Sequence, residues 1–354
     1  MGPTAGIIAG ARAADTNTPA VADSDAGTQP VQKRRRIDVH AHYITEKYRA
    51  ALQAAGHGRP SGMHGIPAWS MELAIATMNR LDIGSALLSV SAPGLHFGDD
   101  TAARELARHL NDAGAEAVRR HPTRFGLFAS LPLPDVDGSL EEARYAFDEL
   151  QADGVVLETN HHGVYLGDRR FDPVFEELNR REAVIFIHPT DPYCPCCQDP
   201  GKLEPLGYPY PMLEFMFETT RAVFNLILSG TLERFPRLKI IVPHAGAAVP
   251  VLAERVAASL SMLDLPNRPD AGRLFGALRG LFYDVAGFPE PHQLSPLLQV
   301  ADHSKVMYGS DWPFTPEPAV LALAKKLEES KLMSPSMKDA VMRGNALALF
   351  PRFK

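Results

Sequence analysis

The sequence predicts an α/β protein built as a distorted (β/α)8 TIM barrel. Three observations lead there. From Arg36 onward, eight short apolar runs alternate with longer amphipathic segments. Most of the short runs are continuously apolar, the pattern of parallel strands covered on both faces. The 354-residue chain also has the length for one barrel of about 250 residues with additions. A doubly wound open sheet is the other architecture that this alternation fits.

The strand-like runs fall, in order, at 36–42, 85–91, 125–131, 154–160, 183–189, 239–245, 281–287 and 305–311. Helical periodicity fills the intervals at 70–82, 99–120, 139–151, 171–181, 211–230, 247–264 and 293–301, then at 317–330 and 335–347. Several starts carry caps: Asp99-Asp100, Ser139 ahead of Glu141-Glu142, and Asp172 followed by Pro173. The Gly/Pro-rich stretches 56–68 and 191–211 follow strands 1 and 5, which in a barrel sets them over the catalytic mouth.

Residues 1–36 read differently. They are small, polar and rich in Pro, Ala and Thr without apolar periodicity, which predicts a disordered tail ahead of one barrel domain at 37–354. Ala11-Arg12-Ala13 is similar to a signal-peptidase site, yet no charged n-region and no full apolar h-region precede it. The expectation is a cytoplasmic protein, with export to the periplasm as the alternative. Lys33–Arg36 reads as a solvated entry segment.

Composition removes several function classes. At 45% hydrophobic and 22% charged, the chain can bury a full core, so neither global disorder nor a disulfide-stapled miniprotein fits. A formal net charge of −6 argues against a nucleic-acid partner, which calls for a basic stripe. No uninterrupted run of about 18 apolar residues suggests a membrane span. Cys194, Cys196 and Cys197 are too crowded for a disulfide framework or a zinc knuckle and read as reduced thiols in a loop. The strings G-x-G-x-x-G, G-x-x-x-x-G-K-[ST] and G-x-S-x-G are absent, which leaves dinucleotide, P-loop and nucleophile-elbow chemistry unsupported.

The informative feature is where polar residues end the strands. Strand 1 reads Ile37-Asp38-Val39-His40-Ala41-His42. Residues two apart share a face about 7 Å apart, so His40 and His42 can grip one ion, and simple alternation puts Asp38 on that face too. His188 closes strand 5, His244 closes strand 6 and Asp311 closes strand 8. In a barrel these ends converge on one mouth. A single such residue has an ordinary structural role; together they predict a divalent metal site, since imidazole and carboxylate suit Zn²⁺ or a similar ion. Arg59, in the loop after strand 1, is either a clamp for a substrate carboxylate or an exposed charge. Trp312 and Phe314 either wall an aromatic ring or pack the rim. His161 and His162 read as surface residues.

This pattern, with the strings IDVHAHY, RFGLFASLPL, GVYLGD, VPHAGA and YGSDWPF, resembles the amidohydrolase superfamily over 37–354. Within it the strings are similar to the branch containing aminocarboxymuconate-semialdehyde decarboxylase and the 6-methylsalicylate decarboxylases. The resemblance implies one divalent ion, Zn²⁺ first and Mn²⁺ second, held by His40, His42, His188 and Asp311. His244 then stands uncoordinated beside it. Binuclear members bridge two ions with a strand-4 Lys or a Glu. Strand 4 here has no Lys, so Glu158 is either a bridge to a second ion or a hydrogen-bonded mouth residue.

The implied reaction is non-oxidative decarboxylation of a small aromatic, hydroxybenzoate-type acid by a homodimer. Asp311 is the implied proton donor, having first taken a proton from substrate or water, and His244 steers protons. The same ligand set also suits a hydrolase of a small amide or lactone, with His244 and Asp311 orienting hydroxide. A non-catalytic barrel that binds a metal or small ligand is the remaining alternative.

Overall fold

The computed structural model describes residues 36–193, 207–263 and 268–354. The expectations for the N-terminal leader and for Cys194, Cys196 and Cys197 fall outside the described residues. Eight barrel strands follow one another: β1 (Arg36–His42), β2 (Ile83–Ser89), β3 (Phe125–Ser130), β4 (Gly154–Glu158), β5 (Val184–His188), β6 (Lys239–Val242), β7 (Phe282–Asp284) and β8 (Val306–Met307). All are parallel, each paired with its neighbour in sequence. The segment after β8 returns to β1 and closes the ring. Val39 N–H donates to Tyr308 O at 3.0 Å, Asp311 N–H to His40 O at 2.7 Å and His42 N–H to Trp312 O at 2.8 Å. The barrel expectation holds, and the open sheet does not.

Inward residues, among them Ile37, Val39, Leu87, Phe128, Val156, Phe186, Ile241 and Met307, fill the interior. Ala346, Phe350 and Phe353 plug one end. It is the end where strands begin, since Arg352 pairs with Asp153 just before β4 and donates to Phe125 O at the start of β3. The opposite end is left for chemistry.

Helices cover the outside close to where periodicity put them. Asp99 caps Asp100–Arg120 by accepting from Ala102 N at 2.8 Å. The helix predicted from Ser139 begins earlier, at Val136, because Asp135 accepts from Gly138 N at 3.0 Å. Among the described residues, three α-helices lie outside the expected segments: Glu46–Ala54, Thr231–Arg234 and Ala271–Gly280. The stretch His244–Leu263 is long and apolar enough to cross a membrane by composition, with a mean hydropathy of 1.3. It is not one uniform helix. A 3₁₀ turn, His244–Gly246, precedes a 15-residue helix, Val249–Leu263, shorter than the ~20 residues a span needs.

Two departures from regular strands position the site. The register of β1 against β2 shifts between Asp38 and Ala41, a bulge. Ile37 and Val39 point inward before it; past it, His40 does, its ring 4.7 Å from that of interior Phe186. Simple alternation is therefore wrong for Asp38, which lines a small space shared with Ala74 and Met78 of the helix Met71–Arg80. There it is buried and accepts from the backbone N–H groups of His40 and Ser310 at 3.0 Å each. The second departure is strand length. β6 and β8 stop at Val242 and Met307, so His244 and Asp311 stand in loops at φ 55° and 58°. Both occupy the left-handed region that non-glycine residues rarely adopt.

Candidate metal centre and active site

Nitrogen or oxygen atoms of His40, His42, His188 and Asp311 all lie within 4.8 Å of one another. The rings of His40 and His42 are 5.0 Å apart, and those of His42 and His188 are 4.9 Å apart. Asp311 Oδ1 stands 3.1 Å from Nε2 of His42 and 3.5 Å from Nε2 of His40. Supporting contacts hold each group. Ser89 Oγ is 3.0 Å from Nδ1 of His42, His188 Nδ1 donates to Pro189 O at 2.7 Å, and Thr315 Oγ1 donates to Asp311 Oδ2 at 3.1 Å.

The residues fit a divalent ion. Nε2 of His40 is buried without a hydrogen-bond partner, an arrangement that is costly unless something else ligates it. Three imidazoles and a carboxylate, brought from β1, β5 and the loop after β8, form an ordinary donor set for such a cation.

The electrostatics agree. Burial lowers the pKa values of His42 to about 4 and His188 to about 3, which leaves both neutral and ready to ligate. Burial also opposes charge on His40, but Asp284 and Asp311 outweigh it and raise its pKa to about 10. For Asp311, burial is outweighed by the hydrogen bond from His42 and the charge on His40, which together hold its carboxyl well below the usual range.

The metal-free site therefore holds a proton on His40 at neutral pH, and an incoming ion must displace it. Metal uptake at pH 7 is expected to release about one proton per ion, and the apparent association constant to rise about tenfold per pH unit up to pH ~9. Chelator competition across pH checks this; a flat profile contradicts the assignment.

A pocket of about 480 Å³ opens above the cluster. His188, His244 and Asp311 line it together with Met63, Phe215, Met216, Phe288 and Phe314, and none of its described lining residues is Lys or Arg. Phe314 is where an aromatic wall was expected, its ring 5.6 Å from that of His42. Trp312 is not; it bridges to Ala41 and faces the same outer space as Asp38, so it packs the rim.

Arg59 is also displaced from its expected place. Its Nε donates to Met63 O at 3.2 Å, and it lines a neighbouring cavity of about 530 Å³ over β2–β4. Pro60 and Ser61 stand between, and Ser61 Oγ donates to Asp191 at 2.5 Å. Glu158 is registered beside His188 and turns into that second cavity, its Oε2 3.5 Å from His188 Nδ1. The four-residue cluster does not include it, so a bridging role is unsupported. His161, expected at the surface, is buried.

Sequence reasoning missed Asp284, which is fully buried with Oδ2 2.9 Å from Nδ1 of His40. The signal was present, since Asp284 ends its strand as His188 ends β5.

Several known proteins are similar to this chain. The 6-methylsalicylic acid decarboxylase of Aspergillus aculeatus is 38% identical over 327 residues, 90% of this chain and 97% of its own length. That of Penicillium expansum is 38% identical over 323 residues, again 90% and 97%. A crystal structure of an amidohydrolase II protein superposes with a TM-score of 0.82 at 30% identity, covering 89% of this chain and 99% of that one. The family described as amidohydrolase matches residues 37–352. The chain belongs to the amidohydrolase family.

Proposed function

We propose that this chain is a metal-dependent, non-oxidative decarboxylase of a one-ring, hydroxybenzoate-type monocarboxylic acid, with a 6-methylsalicylate-like compound as the first candidate. One observation carries the reading: a three-histidine, one-aspartate cluster floors an apolar pocket whose described walls hold no cationic side chain. A substrate carboxylate there has its charge met at the floor. A second carboxylate on the ring would face Met63, Phe215 and Phe288 with nothing to pair it, which is costly in an apolar wall. A pocket of this volume holds one substituted ring. The similar decarboxylases at 38% identity support the same choice.

A bound divalent ion, Zn²⁺ first and Mn²⁺ second, supplies Lewis-acid charge for the oxygens of the substrate. His40, His42, His188 and Asp311 would hold it. Phe314 and Phe215 bracket the ring. Asp311 enters ionised, takes the phenolic proton and returns it to the ring carbon that bears the carboxylate. That carbon–carboxylate bond then breaks, its electron pair stays with the ring, and CO₂ departs. His244, whose pKa burial holds below the usual imidazole range, is neutral and relays protons beside Asp311.

The test is CO₂ release from a hydroxybenzoate panel. Monocarboxylates with an ortho hydroxyl are expected to turn over, with dicarboxylates at least about tenfold lower in kcat/KM. A chelator should stop the reaction, and Zn²⁺ or Mn²⁺ should restore it. Acid release from amides or lactones without CO₂ would instead identify a hydrolase. A homodimer is the assembly expected of such an enzyme, and light scattering on the purified chain tests it.

A further inference from the structure

Asp284 contacts two parts of the site at once. Its Oδ2 accepts from Nδ1 of His40 at 2.9 Å. Its Oδ1 accepts from the backbone N–H groups of His244 at 3.0 Å and Ala286 at 2.9 Å. We propose that Asp284 is a positioning residue that couples the metal ligand His40 to the proton-relaying His244, so that one carboxylate sets both. The inference rests on the metal-site part of the reading above and not on the identity of the reaction.

The argument for His40 is one of hydrogen inventory. A carboxylate only accepts, so Nδ1 of His40 must carry its hydrogen, and Nε2 is the nitrogen left to bind an ion. Nε2 is the atom that is buried, unpartnered and 3.5 Å from Asp311 Oδ1. Fit is tight around the pair. A Cβ on Gly309 would lie 2.8 Å from Cβ of His40 and 3.2 Å from Cβ of Asp284, so the bare glycine lets the chain after β8 close over both.

For His244 the argument is backbone geometry. His244, Ala245 and Ala247 have φ values of 55°, 54° and 54°, a run of left-handed non-glycine residues. Such conformations persist where surrounding contacts fix them. Asp284 Oδ1 holds the N–H at the first residue of that run, and with it the direction in which the His244 ring enters the pocket.

Asp284→Ala removes both duties at once. Nδ1 of His40 loses its acceptor, so its hydrogen is free to move to Nε2, the ligating atom, and the N–H groups of His244 and Ala286 lose the oxygen that holds them.

The expected result is a metal dissociation constant 10–100-fold weaker than wild type by chelator competition. With metal restored to saturation, kcat should remain at least about tenfold down while KM changes little. Affinity within twofold of wild type overturns the proposal. So does a kcat fully recovered by added metal, since the coupling to His244 would then be absent.

If Asp284→Ala does not fold, ¹⁵N–¹H correlation of wild-type protein loaded with Zn²⁺ decides. A hydrogen on Nδ1 of His40 supports the proposal, and a metal on Nδ1 overturns it. Chelator competition and the spectrum need no substrate, so they remain readable if no aromatic acid is decarboxylated.

Discussion

Replacing His40 and His188 together by alanine is expected to leave a chain that retains less than about a tenth of an equivalent of metal and turns over at least ~10³-fold more slowly. That rate loss corresponds to about 4 kcal/mol of transition-state stabilisation, within the several kcal/mol that a Lewis-acidic ion contributes. Only His42 and Asp311 would remain of the four ligands, too few to hold an ion against water.

The two single variants should differ in stability. Removing His40 strands the Asp284 carboxylate, whose side chain has 0% exposure, and losing one partner of a buried charged pair costs about 3–5 kcal/mol. His188 has no carboxylate so close; its Nδ1 donates to a backbone carbonyl at 2.7 Å. His188→Ala should therefore lose metal with a modest fall in metal-free Tm, and His40→Ala should lose metal with a large one. Metal analysis and thermal melts on both variants check the pair. Stoichiometric metal in the double variant would sink the centre altogether.

Most of the scaffold was legible because its signals are local. Short apolar runs alternating with amphipathic segments located every barrel strand, and the i, i+2 spacing of His40 and His42 survived into the structure. Legibility failed where long-range geometry overrides period. The bulge in β1 reversed the face of Asp38, and alternation alone carries no sign of it. His244 and Asp311 read as strand ends, yet they lie beyond β6 and β8 at left-handed positions, which apolar periodicity does not show. Arg59 is expected at the mouth from its place in the loop after strand 1, and Trp312 from its place beside Asp311. In the fold, Pro60–Ser61 turns Arg59 into the adjoining cavity, and Trp312 turns outward beside Ala41. Asp284 was overlooked because one carboxylate at the end of a three-residue strand looks like any cap until its partners are known.

The sharpest division of labour predicted for this site falls on His244. It lines the pocket but stands outside the four-residue cluster, and its Nδ1 has no hydrogen-bond partner. Burial holds its pKa below the usual imidazole range, so at neutral pH it offers an uncharged imidazole that can take a proton and pass it on. Its φ of 55° decides which variant to make, because asparagine tolerates the left-handed region better than alanine does.

His244→Asn is expected to keep its metal and a Tm within a few degrees of wild type, while kcat falls ~10²–10⁴-fold, the range for loss of a proton-transfer group. Because His244 is neutral well above pH 4, the variant's rate profile between pH 6 and 9 should be lowered evenly, with no limb removed. Metal analysis beside the kinetics is the deciding comparison. If metal is lost in step with turnover, His244 is a ligand and the assignment of the cluster is wrong. If metal stays and turnover survives, protons reach the ring by way of Asp311 without it.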